Sequence, residues 1–189
     1  CNLEVVLPDG RLLHTGFGHF AGAQAANLYP YGVGPALDGL FTQSNLGILT
    51  KMTVWLMPRP AAFQAFFFSL REAGAITGLI EALRPLRLAG TLRTPVHIFN
   101  DLRLLGGTAR YPWGRLDGRE AVSGALRKEL CRQHGLDAWA GAGALYGSPE
   151  EVAGAAKTVR RALRGVPGLK RLLFVDERRM AHLRRMAGW

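Results

Sequence analysis

Between Tyr31 and Lys51 the chain gathers polar side chains that could do chemistry, Asp38, Thr42, Gln43, Ser44, Asn45 and Thr50, among the glycines 32, 34, 39 and 47. Small residues let main-chain N–H and C=O groups approach a flat or phosphorylated ligand closely. Here a polar run, Thr42-Gln43-Ser44-Asn45, leads into a β-branched and aliphatic stretch from Gly47 to Met57, ended by Pro58 and Pro60. That order of residues suits a nucleotide cofactor held by bare amides. It also suits an ordinary tight turn entering a core strand. No phosphate-loop or dinucleotide fingerprint decides between the two, because Gly32-Val33-Gly34 runs into Pro35 and lacks the third glycine of a Rossmann turn.

Other chemistry is thinly supported. No two carboxylates pair as a general acid and base, and Asp101, Asp117, Asp137 and Asp176 fall at expected element ends, where turns and caps use them. No serine lies in the Gly-x-Ser-x-Gly elbow of a hydrolase. Cys1 and Cys131 have no ligand spacing, and Cys131 falls on a helical pattern as a small packing residue. The five histidines include no helical metal-binding pair, so no metal is expected. Tyr29 and Tyr31 could line a ring-shaped pocket or anchor packing. Arg84 and Arg87, around Pro85, could meet an anion, cap carbonyls or sit in solvent.

The elements that would position these residues begin with a hairpin, Leu3–Leu7, a Pro8-Asp9-Gly10 turn and Arg11–Thr15. Residues 19–28 are a surface excursion, Ala36–Phe41 a short helical turn, and Ile48–Met57 a buried strand. Arg59-Pro60 is a boundary. Beyond it strands and helices alternate, with strands at Ala62–Leu70, Pro95–Phe99, Ala138–Tyr146 and Leu169–Val175. Helices are expected at Ala75–Leu88, with Ile76, Leu79, Ile80 and Leu83 as its apolar stripe, at Gly118–His134 and at Glu177–Arg185. Residues 103–118, with Gly106-Gly107, read as a loop. Ser148-Pro149-Glu150-Glu151 opens a further helix to Arg164, with a serine cap, proline in the first turn and acids beside it. The pattern predicts an α+β fold with helices on one sheet face.

The 189 residues carry a formal charge of +10, and all but Lys51, Lys128, Lys157 and Lys170 of the 24 basic residues are arginine. The densest run, Arg178 to Arg185, lacks the interleaved aromatics that stack bases, so a solvated face is favoured over nucleic acid, while anionic ligands are attracted. No apolar run reaches the roughly 18 residues of a membrane span. The composition is that of a soluble globular protein, with cytoplasm and periplasm equally open. The first residues enter a strand directly, and the chain is expected to be a piece of something longer.

Several segments together resemble the vanillyl-alcohol oxidase / p-cresol methylhydroxylase flavoproteins. They are Leu3 to Gly16, Tyr31 to Lys51, Val54-Trp55-Leu56-Met57-Pro58, Leu83 to Leu88, Ala144-Leu145-Tyr146-Gly147 and Met186-Ala187-Gly188. The resemblance implies that residues 1–58 end a PCMH-type FAD-binding domain. Residues 59–189 would then open a cap domain of antiparallel sheet plus helices. It implies FAD as cofactor and an FAD-dependent oxidoreductase acting on a 4-alkylphenol or 4-hydroxybenzyl alcohol. A hydride would pass from the benzylic carbon to flavin N5, through a quinone methide. By matched position Ser44, Asn45, Gly47, Ile48 and Leu49 would contact the flavin, mainly through the main chain. Thr50 and Asp38 would support them, and Gly16 and Gly18 would flank.

The family's catalytic groups fall outside this chain, so no catalytic residue is expected within it and the isolated polypeptide should be inactive. The electron acceptor would be oxygen or a cytochrome c subunit, and the intact protein a homo-oligomer. Two other readings stay open: a related flavin enzyme acting on a hydroxy acid or polyol, and a basic nucleic-acid-binding module.

Overall fold

The computed structural model describes residues 2–29, 31–116, 118 and 121–186. The chain divides into two units, Cys1–Arg59 and Pro60–Trp189. In the first, β1 (Leu3–Val6), β2 (Leu12–His14) and β3 (Ile48–Met52) form an antiparallel sheet in the order β2-β1-β3. The β1–β2 turn closes because Gly10 takes a φ of +84°, which no side chain opposes. The Asp9 carboxylate accepts hydrogen bonds from the Arg11 amide and guanidinium. Single 3-10 turns follow at Gly16–His19 and Asp38–Phe41.

The strand expected to run to Met57 stops at Met52 and is exposed along its whole length rather than buried. A strand lasts only as long as its partner. β3 pairs with β1 alone, and β1 is used up where the Thr53 amide donates to the Asn2 carbonyl at 2.9 Å. Val54, Trp55, Leu56 and Met57 then continue outside any ladder, each at least half exposed.

The second unit is built on a four-stranded antiparallel sheet, β4 (Ala62–Leu70), β5 (His97–Asn100), β6 (Trp139–Gly147) and β7 (Leu169–Asp176), ordered β5-β6-β4-β7. Alternation in β4 sends Phe66, Phe68 and Leu70 to one face, where they are buried. Opposite them on β6 stand Gly143 and Gly141. A Cβ on either would run into the Phe66 or Phe68 ring, which explains the Ala-Gly alternation of that strand.

Two helices close this face, α1 (Ile76–Leu88) and α4 (Pro149–Arg164). Leu79, Leu83, Val152, Ala156, Val159 and Leu163 pack with Phe66, Phe68, Leu145 and Phe174 in one core. Each fully buried large side chain contributes about 1.5–3 kcal/mol. α4 begins as its sequence dictates, with a reciprocal capping box. The Ser148 hydroxyl accepts from the Glu151 amide, and the Glu151 carboxylate accepts from the Ser148 amide at 2.7 Å.

Two sequence expectations change here. The segment read as a loop from Arg103 begins with a helix, α2 (Asp101–Thr108). Asn100 caps it by accepting from the Arg103 amide, and Leu105 is buried, so capping and tertiary packing override Gly106-Gly107. The next helix, α3, runs Gly124–Gln133 rather than from Gly118, because Ser123 is its cap and Val122 falls outside it. Cys131 is buried as expected. α5 (Glu177–Met186) packs on β7 and β4. Asp117, and the side chains of His182, Arg184 and Arg185, lie outside the described residues.

Candidate functional site

The residues singled out by the sequence fall along one continuous segment of the first unit. Asp38 opens the second 3-10 turn, and the polar run leaves that turn and enters β3. Side chains fasten the segment from within. The Thr42 hydroxyl donates to the Asp38 carbonyl at 3.2 Å, and the Ser44 hydroxyl to the Leu40 carbonyl at 2.6 Å. Between them Gln43 sits at φ +53°, the left-handed region that non-glycine residues seldom occupy.

This tethering has a chemical consequence. Among the described residues, the main-chain amides of Gln43, Ser44 and Asn45 donate to nothing, and the loop around Ser44 and Asn45 is exposed. Three consecutive unpaired donors on a fixed loop suit oxygen acceptors of a nucleotide or a polarised carbonyl. Ile48 and Leu49 follow, 71% and 42% exposed, and offer an apolar surface beside those donors. One oxygen of Asp38, Oδ1, is buried without a partner and can accept a further hydrogen bond.

Other members have structural roles. A Cβ on Gly47 would lie 2.5 Å from Val5 Cγ1 and 2.9 Å from the Val6 carbonyl, so this glycine lets β3 approach β1. Thr50 spends its hydroxyl on Glu4, 2.8 Å from Oε1, and Lys51 reaches the other oxygen at 2.9 Å. The Lys51 ammonium, then the Thr50 hydroxyl, hold the Glu4 carboxyl below its ordinary range. Thr50 therefore fixes the β1–β3 register and aligns its neighbours.

Gly16 and Gly18 line separate cavities. Gly16, at φ +59°, joins Tyr31, Gly32 and Asp38 around one of about 280 Å³. Gly18 lies on another of about 400 Å³ with Glu4, Asn27 and Lys51. A Cβ on Gly32 would lie 2.6 Å from the Gly16 carbonyl carbon, so these two glycines serve a close main-chain contact. Tyr29 packs its ring edge-on to Phe17 at 6.3 Å, while Tyr31 is 66% exposed. In the second unit Arg84 pairs with Glu81, and Arg87 donates to the carbonyls of Leu92 and Arg93, so both arginines are engaged within the unit. The sequence marks Gln43 only as part of the polar run and not as a cofactor contact; nothing in its type announces a left-handed backbone.

No protein-family model matches the chain. Individual relatives do. It is 44% identical over 179 residues, 94% of its length, to the 1'-carboxy-chondrochloren decarboxylase of Chondromyces crocatus. It is 37% identical over 154 residues, 80% of its length, to the 4-cresol dehydrogenase [hydroxylating] flavoprotein subunit of Pseudomonas putida. In structure it matches p-cresol methylhydroxylase with substrate bound at a TM-score of 0.74 and 32% identity, over 94% of this chain and 34% of that one. The chain belongs to the p-cresol methylhydroxylase / vanillyl-alcohol oxidase family.

A second member of this family, 4-ethylphenol oxidase from Gulosibacter chungangensis in its isoeugenol complex, aligns at a TM-score of 0.73 and 28% identity, over 92% of this chain and 33% of that one. The family's relatives are FAD-binding flavoproteins, and the α+β class with its PCMH-type architecture holds for this chain. The chain spans 33% and 29% of the length of the two curated relatives, about a third. Among the described residues no helix is long and apolar enough to cross a membrane, and no three metal-ligating side chains cluster.

Proposed function

We propose that this chain supplies the cofactor-flanking segment of an FAD-dependent oxidoreductase that takes a hydride from the benzylic carbon of a 4-alkylphenol or 4-hydroxybenzyl alcohol, leaving a quinone methide. The observation that carries the reading is the match to a 4-cresol dehydrogenase flavoprotein subunit in sequence, over 80% of this chain, and to p-cresol methylhydroxylase in structure, over 94% of it. FAD, when bound, supplies the two-electron acceptor for that hydride. Residues 1–58 belong to its binding domain and residues 59–189 to the cap domain.

The amides of Gln43, Ser44 and Asn45 donate to the cofactor, as the free donors of the loop. Ile48 and Leu49 keep water from its apolar portion, and Gly47 and Thr50 hold that strand against β1. Asp38 accepts a hydrogen bond through its unpartnered oxygen. Because these groups are tethered beforehand, binding does not have to order them. Electrons leave through a second subunit of cytochrome c type or through oxygen. One relative is a flavoprotein subunit, which supports a second polypeptide in the intact protein.

One observation favours a second outcome at the same centre. Identity to the decarboxylase is higher and longer, 44% over 179 residues. A phenol bearing a carboxylate beyond its benzylic carbon would then lose carbon dioxide as the hydride leaves. Both readings are tested by purifying the full-length protein that carries this sequence. It should be yellow, and anaerobic 4-cresol or 4-ethylphenol should bleach its flavin absorbance. Carbon dioxide released from a carboxylated 4-alkylphenol, without bleaching by 4-cresol, would select the decarboxylase. A colourless protein would remove both. The 189-residue polypeptide alone should turn over neither substrate.

A further inference from the structure

Helix α4 has two contrasting sides. Val152, Ala156, Val159 and Leu163 are buried in the core. At 100° per residue, Lys157, Arg161 and Arg164 fall in one narrow stripe on the opposite side, and all three are exposed. None of them makes an ion pair among the described residues. Four acids of this unit are already matched elsewhere: Glu151 with Arg93, Glu129 with Arg115, Asp101 with Arg127 and Asp137 with Lys170. Glu150 is the one acid on the same side of α4, two turns before Lys157.

We propose that this outer face of α4 is a docking surface for an acidic protein segment. A helix C-terminus welcomes cations within its last turn, which accounts for Arg161 and Arg164. Lys157 lies beyond that reach and extends the uncompensated stripe to two turns. Exposed Ala153 and Gly154 follow on the same side before Glu150 and present no side chain larger than a methyl, so a partner backbone can come close there.

The chemistry of the face selects the partner. α4 has no aromatic residue on which a base could stack, and its large apolar side chains are all turned inward, so neither a single-stranded nucleic acid nor a lipid surface finds its usual purchase. Two arginines that can each grip a carboxylate bidentately, with a lysine beside them, match clustered aspartates and glutamates.

The test uses the full-length protein and three probes: poly-L-glutamate, a duplex DNA oligonucleotide and phosphatidylserine vesicles. Binding to poly-L-glutamate should weaken steeply with added salt. The triple variant Lys157→Glu, Arg161→Glu, Arg164→Glu should lose about tenfold or more in affinity. A control of equal charge, Arg103→Glu, Arg110→Glu, Arg132→Glu, should lose far less. Equal losses would show that net charge alone is read and would overturn the proposal. So would tighter, stripe-dependent binding of DNA or vesicles, or no binding of poly-L-glutamate at all. Unchanged circular dichroism of both triples keeps the comparison one of surfaces.

Discussion

The two units solve the problem of burial differently. Among the described residues, Cys1–Arg59 buries only Leu3 and Val5 as apolar side chains, while Pro60–Trp189 buries a continuous cluster from Phe66 to Phe174. The first unit exposes Ile48, Leu49, Met52, Val54, Trp55, Leu56 and Met57 in succession. Its order comes instead from main-chain ladders, the Glu4 network and hydroxyl tethers. Rigidity from hydrogen bonds leaves donors and apolar side chains free to meet a ligand or another part of a protein, whereas rigidity from packing consumes them. The candidate site sits in the unit that leaves its groups free.

The largest test of this contrast is one truncation in each unit. Phe66 is fully buried and stacks on Phe68 and Phe174. Phe66→Ala should cost about 3–5 kcal/mol of the second unit's stability in urea denaturation, through lost contacts and a cavity. Ile48→Ala, at 71% exposure, should change the chain's stability by no more than about 0.5 kcal/mol. A large cost at Ile48 in the isolated chain would break the comparison. A large cost appearing only in the full-length protein would sharpen it, by showing that Ile48 is covered there.

Next in size is the same substitution with opposite signs. Gly47→Ala drives a methyl into Val5 and the Val6 carbonyl, and should destabilise the first unit by about 1–3 kcal/mol. It should also abolish flavin retention by the full-length protein. Gly106→Ala, within α2 with open space at its Cβ, should stabilise the second unit by about 0.5–1 kcal/mol. Thermal melts followed by circular dichroism check both.

The second unit was the more legible in sequence, for the reason that it packs. Ile76, Leu79 and Leu83 announce α1 through their spacing, and Ser148 to Glu151 spell out a cap that the structure forms. What sequence did not reveal depended on distant partners. The end of β3 is set by where β1 runs out, some fifty positions away in the chain. α2 survives two glycines because Asn100 caps it and Asp101 is gripped by Arg127. At the candidate site the residue types were readable, but their state was not. Only the hydrogen bonds show that Thr42 and Ser44 turn back onto carbonyls of the preceding 3-10 turn, that Thr50 serves Glu4, and that the donors left over are amides, including that of Gln43.

Smaller effects follow from the polar fastenings of the packed unit. Ser148→Ala removes an acceptor from the start of α4 and should cost about 1 kcal/mol, seen as a lower urea midpoint with unchanged slope.

The smallest concerns the clamp between α2 and α3. Arg127 donates to both Asp101 oxygens, with Nε 2.8 Å from Oδ2, and this guanidinium holds the Asp101 carboxyl below its ordinary value. A carboxyl whose folded value is depressed adds stability that is fully present above its unfolded value. That stability is lost as pH falls through the folded value. The second unit should therefore soften below the usual carboxylate range, by less than about 1 kcal/mol for this pair, since Arg127 is part-exposed and screened. Asp101→Asn should remove that share of the acid limb while leaving the neutral-pH core intact. If the variant instead lost stability equally at every pH, the clamp would be acting through packing alone, and the fastenings of the second unit would be no more electrostatic than its core.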